Sequence, residues 1–273
     1  MPFRYAICNE TFGDWAHERI CDRVAELGYT GLEIAPFTLA PLITDVTSVQ
    51  RTELRRVAER AGLHLLGLHW LLAKTTGFHL TSPEEGVRKH TAEYFCELAR
   101  CAADLGGNIL VLGSPLQRNI PAGYTREQAT GYALATLEQV LPTLSDTGVT
   151  LALEPLTTKE TDYLNTAAEA VEIIGKLGHP NVRLHLDVKA MTAEPLSAPD
   201  TILEFAKFTA HFHANDPNLR GPGFGDTDFR PILEALKKTN YTGYASVEVF
   251  DYTPDPDTIA RESLRYMREC EPK

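Results

Sequence analysis

VTLALEP (Val149–Pro155) reads as a short apolar strand that ends on a carboxylate, Glu154, directly before a proline. The figure recurs three times downstream. VRLHLDV (Val182–Val188) ends on Asp187, FTAHFHAN (Phe208–Asn215) on His213, and YASVEVF (Tyr244–Phe250) on Glu248. The intervals between these four residues are 33, 26 and 35 positions, each about the length of one strand, one helix and two loops. That spacing places them at equivalent points of successive βα units. In a parallel barrel the C-terminal strand ends converge on one face, where active sites are built. Three carboxylates and an imidazole gathered there repel one another unless a cation sits among them. The pattern therefore predicts a divalent-metal site made of Glu154, Asp187, His213 and Glu248.

Outward from that stretch the chain alternates strand and helix about eight times. Upstream, FRYAICN, TGLEIAP, HLLGLHW and NILVLGSP read as strands one to four, with Glu10 near the end of the first and His69 and Trp70 ending the third. Helices are expected over Asp14–Leu27, Val49–Ala61, Gly86–Leu105 and Arg126–Ser145, several closed by glycine. Further helices are expected near 166–178, 199–207, 228–239 and 256–270. The Val/Ile/Leu character of the strands suits a parallel sheet buried on both faces. One α/β domain over residues 1–273 follows, a single (β/α)8 TIM barrel, eight-stranded and parallel. A doubly wound open sheet is disfavoured, because no GxGxxG turn follows strand one.

Composition narrows the partners. A net charge of −11 and no basic cluster argue against nucleic acid, whose binding proteins present a basic face. The longest apolar runs are too short to span a bilayer, and the first residues, MPFRYAICNETF, show no signal-peptide pattern. Five scattered cysteines form no metal-type pair, which points to a reduced, cytoplasmic protein.

Side chains alternate along a strand, so Arg183, His185 and Asp187 share one face, as do His211 and His213. Arg183 and His185 read as interior hydrogen-bonding groups that each need a partner, and His211 as support for a ligand. His69 at a strand end is a candidate substrate contact. Trp15 is a candidate apolar shield over a bound substrate, weighed against ordinary core packing.

LEPLTTKETDYLNT, HLDVKAM, HFHAND…GPGFGD and SVEVF together resemble the sugar isomerase/epimerase members of the xylose isomerase-like TIM-barrel superfamily, among them ketose 3-epimerases, inosose dehydratase and hydroxypyruvate isomerase. The resemblance implies a metal, manganese first and magnesium, cobalt or zinc as alternatives, held by Glu154, Asp187, His213 and Glu248. It makes Glu154 and Glu248 the catalytic proton carriers, one on each face of the sugar, and matches Glu160 to a substrate-binding glutamate. The implied activity is isomerisation or epimerisation of a sugar, keto-sugar or related polyol through a metal-stabilised enediolate. The alternative is a lyase or dehydratase that eliminates from a keto-inositol or 3-keto-glycoside. A small carbohydrate is the expected partner, with a homo-dimer or homo-tetramer as the expected assembly.

Two positions depart from the 3-epimerase pattern. Ala190 stands where those enzymes carry a substrate-contacting histidine, and Leu219 where they carry an arginine, with Arg220 next to it. Lys189 and Arg220 are candidate replacements. The departures predict weak turnover of free ketohexoses.

Overall fold

The computed structural model describes residues 3–273. Eight parallel strands close into a barrel in chain order, the first pairing with the last. They are β1 (Arg4–Cys8), β2 (Gly31–Ile34), β3 (His64–Leu68), β4 (Ile109–Leu112), β5 (Thr150–Leu153), β6 (Val182–Asp187), β7 (Thr209–Ala214) and β8 (Tyr244–Val247). Around them lie α1 (His17–Leu27), α2 (Ser48–Arg60), α3 (Glu85–Asp104), α4 (Arg126–Glu138), α5 (Leu141–Thr147), α6 (Ala167–Leu177), α7 (Val188–Met191), α8 (Ala198–Glu204), α9 (Phe229–Lys238) and α10 (Pro256–Glu269). The eightfold βα alternation in the sequence is the architecture observed.

The helices form where local chemistry starts and stops them. Thr47 and Gln50 cap α2 reciprocally, each side chain meeting the other's backbone N–H. The expected helix over Arg126–Ser145 is two helices. Pro142 has no N–H for the Glu138 carbonyl and its ring crowds that turn, so α4 ends at Glu138 and α5 begins afresh. α7 was not anticipated. It forms because Asp187 accepts from the Ala190 N–H at 2.7 Å and caps it.

Strand register arranges the interior. Asp187 lies beside His213, and His213 beside Ser246; Cys8 lies beside Glu33 and His185 beside His211. β3 and β4 run close because residue 67 is glycine: a Cβ there would fall 1.8 Å from the Ile109 carbonyl oxygen, and its φ is +149°. β3 ends at Leu68, one residue before His69, and Trp70 begins the turn at a φ of +52°.

Candidate active site

The C-terminal strand ends bring Glu154, Asp187 and His213 together. With His185 they offer ligand atoms lying within 4.8 Å of one another, all on buried residues. Glu248 joins them through His213: its Oε2 lies 3.1 Å from His213 Nδ1, and its Oε1 accepts from the Trp70 indole N–H at 2.6 Å. Above this cluster opens a cavity of about 290 Å³ whose lining includes Trp70, Leu116, Glu154, Glu160, Lys189 and Glu248. A roomier hollow, about 590 Å³, lies at the other end of the barrel and carries none of these carboxylates.

Each donor is held by a second group. Asp187 Oδ1 accepts from the Ala190 N–H, and its Oδ2 from the Asn215 side-chain amide. His213 Nε2 lies 3.1 Å from Glu33, which also bonds His211 Nε2 at 2.9 Å. Both His213 nitrogens thus face a carboxylate, Nε2 that of Glu33 and Nδ1 that of Glu248. Arg118, fully buried, donates to the Glu154 carbonyl at 2.7 Å and anchors the end of β5. Gly113 makes room beside it: a Cβ there would lie 1.6 Å from Glu154 Oε2.

Crowding the carboxylates without an ion splits their acidities. Burial, then the charges of Glu248 and Asp187, hold the Glu154 carboxyl well above its usual range. Burial and Glu248 push Asp187 up to about 6. For Glu248 burial acts upward, but the charge of His213 and its hydrogen bond outweigh it, and the net direction is down. His213 itself is held well above the ordinary histidine range, since Glu33 and Glu248 more than offset its burial. An all-buried set of carboxylates and imidazoles with these opposed shifts is the donor chemistry of a hard or borderline divalent ion.

The substrate-binding candidates divide. Glu160 and Lys189 both line the cavity and pair at 2.6 Å, with the Lys189 ammonium 4.3 Å from the centre of the Phe250 ring. Trp15 lies elsewhere: its ring packs on Phe12 and lies under the Arg19 guanidinium in an outer groove along α1. Arg220 turns to Asp251 at 2.9 Å and Thr253 at 3.0 Å, outside the cavity lining. His69 is fully buried below the mouth, 2.9 Å from Glu10. The loop geometry after each strand decides these cases, and sequence spacing does not encode it.

Two interior residues were read differently from the sequence. Arg183 does bond, to the Phe208 and Lys207 carbonyls, but at the half-exposed lower rim. Among the described residues His185 has no hydrogen-bond partner for either nitrogen, although a buried histidine was expected to have one. Glu33, central to the network, was passed over because GLEI reads as an ordinary strand with one charge. Its partners are 178 and 180 residues away.

The description "xylose isomerase-like TIM barrel" fits residues 21–270. This chain belongs to that family. Among relatives within and around it, the D-psicose 3-epimerase of Agrobacterium fabrum is 28% identical over 246 residues, covering 86% of this chain and 82% of that protein. The 3-dehydro-D-guloside 4-epimerase of Escherichia coli is 30% identical over 138 residues, covering 50% and 52%. A crystal structure of D-psicose 3-epimerase in the presence of D-fructose superposes with a TM-score of 0.85 at 23% identity over 98% of this chain and 99% of that one, a likeness of fold.

Proposed function

We propose that this family member is a divalent-metal-dependent epimerase or isomerase of a keto-sugar or related polyol. One ion would be held by Glu154, Asp187, His213 and Glu248, with His185 as a neutral donor beneath. The observation that carries the reading is the convergence of these buried groups under one cavity at the C-terminal strand ends. When bound, the ion supplies Lewis-acid stabilisation of charge on the substrate's carbonyl oxygen. The residues do the rest. Glu248, held as a carboxylate, takes the proton from the carbon beside the carbonyl, leaving an enediolate. Glu154, on the other side of the ion, returns one taken up from solvent to the opposite face. In the reverse direction the roles exchange. Trp70 and Phe250, stacked with ring centres 5.6 Å apart, wall the cavity against water. The Lys189–Glu160 pair offers a donor and an acceptor to sugar hydroxyls.

The oxygen-rich donor set favours manganese, then magnesium, cobalt or zinc. The five cysteines are all free; the proposal places the enzyme in a reducing cytoplasm, as a homo-dimer or homo-tetramer, with no nucleic-acid partner. The lyase alternative has no observation in its favour.

Glu154→Gln and Glu248→Gln each remove a proton carrier. Each is expected to lower kcat by at least about 10²–10⁴-fold, with loss of solvent deuterium uptake into the substrate carbon. Near-normal turnover in both variants sinks the reading.

Lys189 lines the cavity but Ala190, Leu219 and Arg220 do not, so at least one of the two contacts of a free ketohexose missing at positions 190 and 219 is left without a replacement. One or two such hydrogen bonds, each worth about 0.5–1.5 kcal/mol, predict roughly two- to 160-fold weaker kcat/KM on fructose, tagatose or psicose than on a keto-inositol or an oxidised glycoside. Efficiency on those hexoses at or above about 10⁴ M⁻¹s⁻¹ refutes this specificity. The E. coli relative named as acting on a 3-dehydro-guloside is consistent with it.

A further inference from the structure

At the C-terminal ends of β1 and β3, beside the proposed ion site, a second group of chemically different side chains converges, its His69 ring 5.9 Å from that of His213. Cys8, Glu10 and His69 offer a sulfur, a carboxylate oxygen and an imidazole nitrogen, all within 4.8 Å of one another. All three residues are buried, at 0%, 5% and 0% exposure. Among the described residues no aligned hydrogen bond reaches either oxygen of Glu10 or either nitrogen of His69, although His69 Nε2 and Glu10 Oε2 are a contact pair 2.9 Å apart. Leaving four polar atoms of two ionisable groups unbonded in a barrel interior is costly. Two donors brought together off hydrogen-bonding alignment, with a thiol beside them, are instead placed as ligands of one cation.

We propose that Cys8, Glu10 and His69 form a second cation site, selective for a borderline or soft divalent ion such as zinc or cobalt. Charge balance supports it: a thiolate and a carboxylate with a neutral imidazole cancel the two charges of the ion. Cys8 releases its proton to solvent on binding. Three protein donors leave one position of a tetrahedral ion open.

With His69 Nε2 toward Glu10, its Nδ1 lies 4.0 Å from Glu33 Oε1, too far for a hydrogen bond but close enough for the two charges to act on each other. Glu33 is also the carboxylate behind His213. One glutamate on β2 thus stands behind a histidine of each site, and the two ions would be coupled through it.

The test is stoichiometry and spectroscopy. Chain stripped with a chelator and kept reduced with a phosphine is titrated with cobalt(II), with bound metal counted by elemental analysis and calorimetry. Wild type is expected to take two equivalents, one of them bringing a near-ultraviolet sulfur-to-cobalt charge-transfer band. Cys8→Ser should lose that band and one equivalent while keeping the other. Glu10→Gln serves as the second variant should the serine chain fail to fold, and should weaken the same equivalent. Asp187→Asn should lose the other equivalent and keep the band, so failure of the catalytic-site reading is told apart from failure of this one. A single equivalent in wild type, or a band unmoved by Cys8→Ser, overturns the proposal.

Discussion

Glu154 and Gly113 face each other so closely that residue 113 has no freedom to grow. Gly113→Ala would put a methyl group on the Glu154 carboxylate. The expected result is a folded protein whose ion affinity falls by about tenfold or more, the scale seen when support around a ligand is disturbed, read by calorimetry beside a melting curve. Unchanged affinity would mean that Glu154 binds no ion. At this scale the sequence was most informative where chemistry was most improbable: a carboxylate closing an apolar strand has few reasons to be there, and Glu154, Asp187 and Glu248 all stood out on that ground. Glu33 did not, since a single charge inside GLEI is unremarkable until β7 is laid beside it. Trp15 was misjudged for the converse reason. A tryptophan serves as a lid or as packing with equal ease, and Arg19 over its ring decided for packing.

Among the elements, α2 gives the cleanest control, because its capping box is exposed and remote from the mouth. Thr47→Ala should cost about 1 kcal/mol, about 2–4 °C in Tm for a chain of this size, with kcat/KM unchanged. A loss of activity at constant stability would contradict the separation of scaffold from site. The strands and most helices were legible because periodicity and terminal glycines carry them. The α4–α5 break was visible in principle at Pro142, whereas α7 was not. It is made by Asp187, and a side chain that both caps a helix and awaits an ion announces neither duty in a linear reading.

For the whole molecule, proton and ion compete. Asp187 in the metal-free fold keeps its proton up to about 6, above the unfolded value of 3.8, so the folded state holds a proton that the unfolded chain releases. Metal-free stability from this group is therefore greatest below about pH 4 and declines as pH rises through 6. Added ion reverses the trend, because it must displace that proton. The rise in Tm on adding manganese should be large near pH 8 and shrink below about pH 6, measured by melting curves with and without chelator; a pH-independent rise would exclude Asp187 as a ligand. The barrel also separates its duties around the ring. The proposed ion is gripped by β5 to β8, while much of the cavity wall comes from the turns after β3 and β4, around Trp70, Ala73, Ser114, Leu116 and Gln117. Part of what the cavity admits is thus set on a half of the circle that carries no proposed ion ligand. Grafting the turn at 114–117 from a relative, with Arg118 kept on the Glu154 carbonyl, should retune which sugar enters and leave the grip on the ion alone, which is how one scaffold can diversify without relearning its reaction.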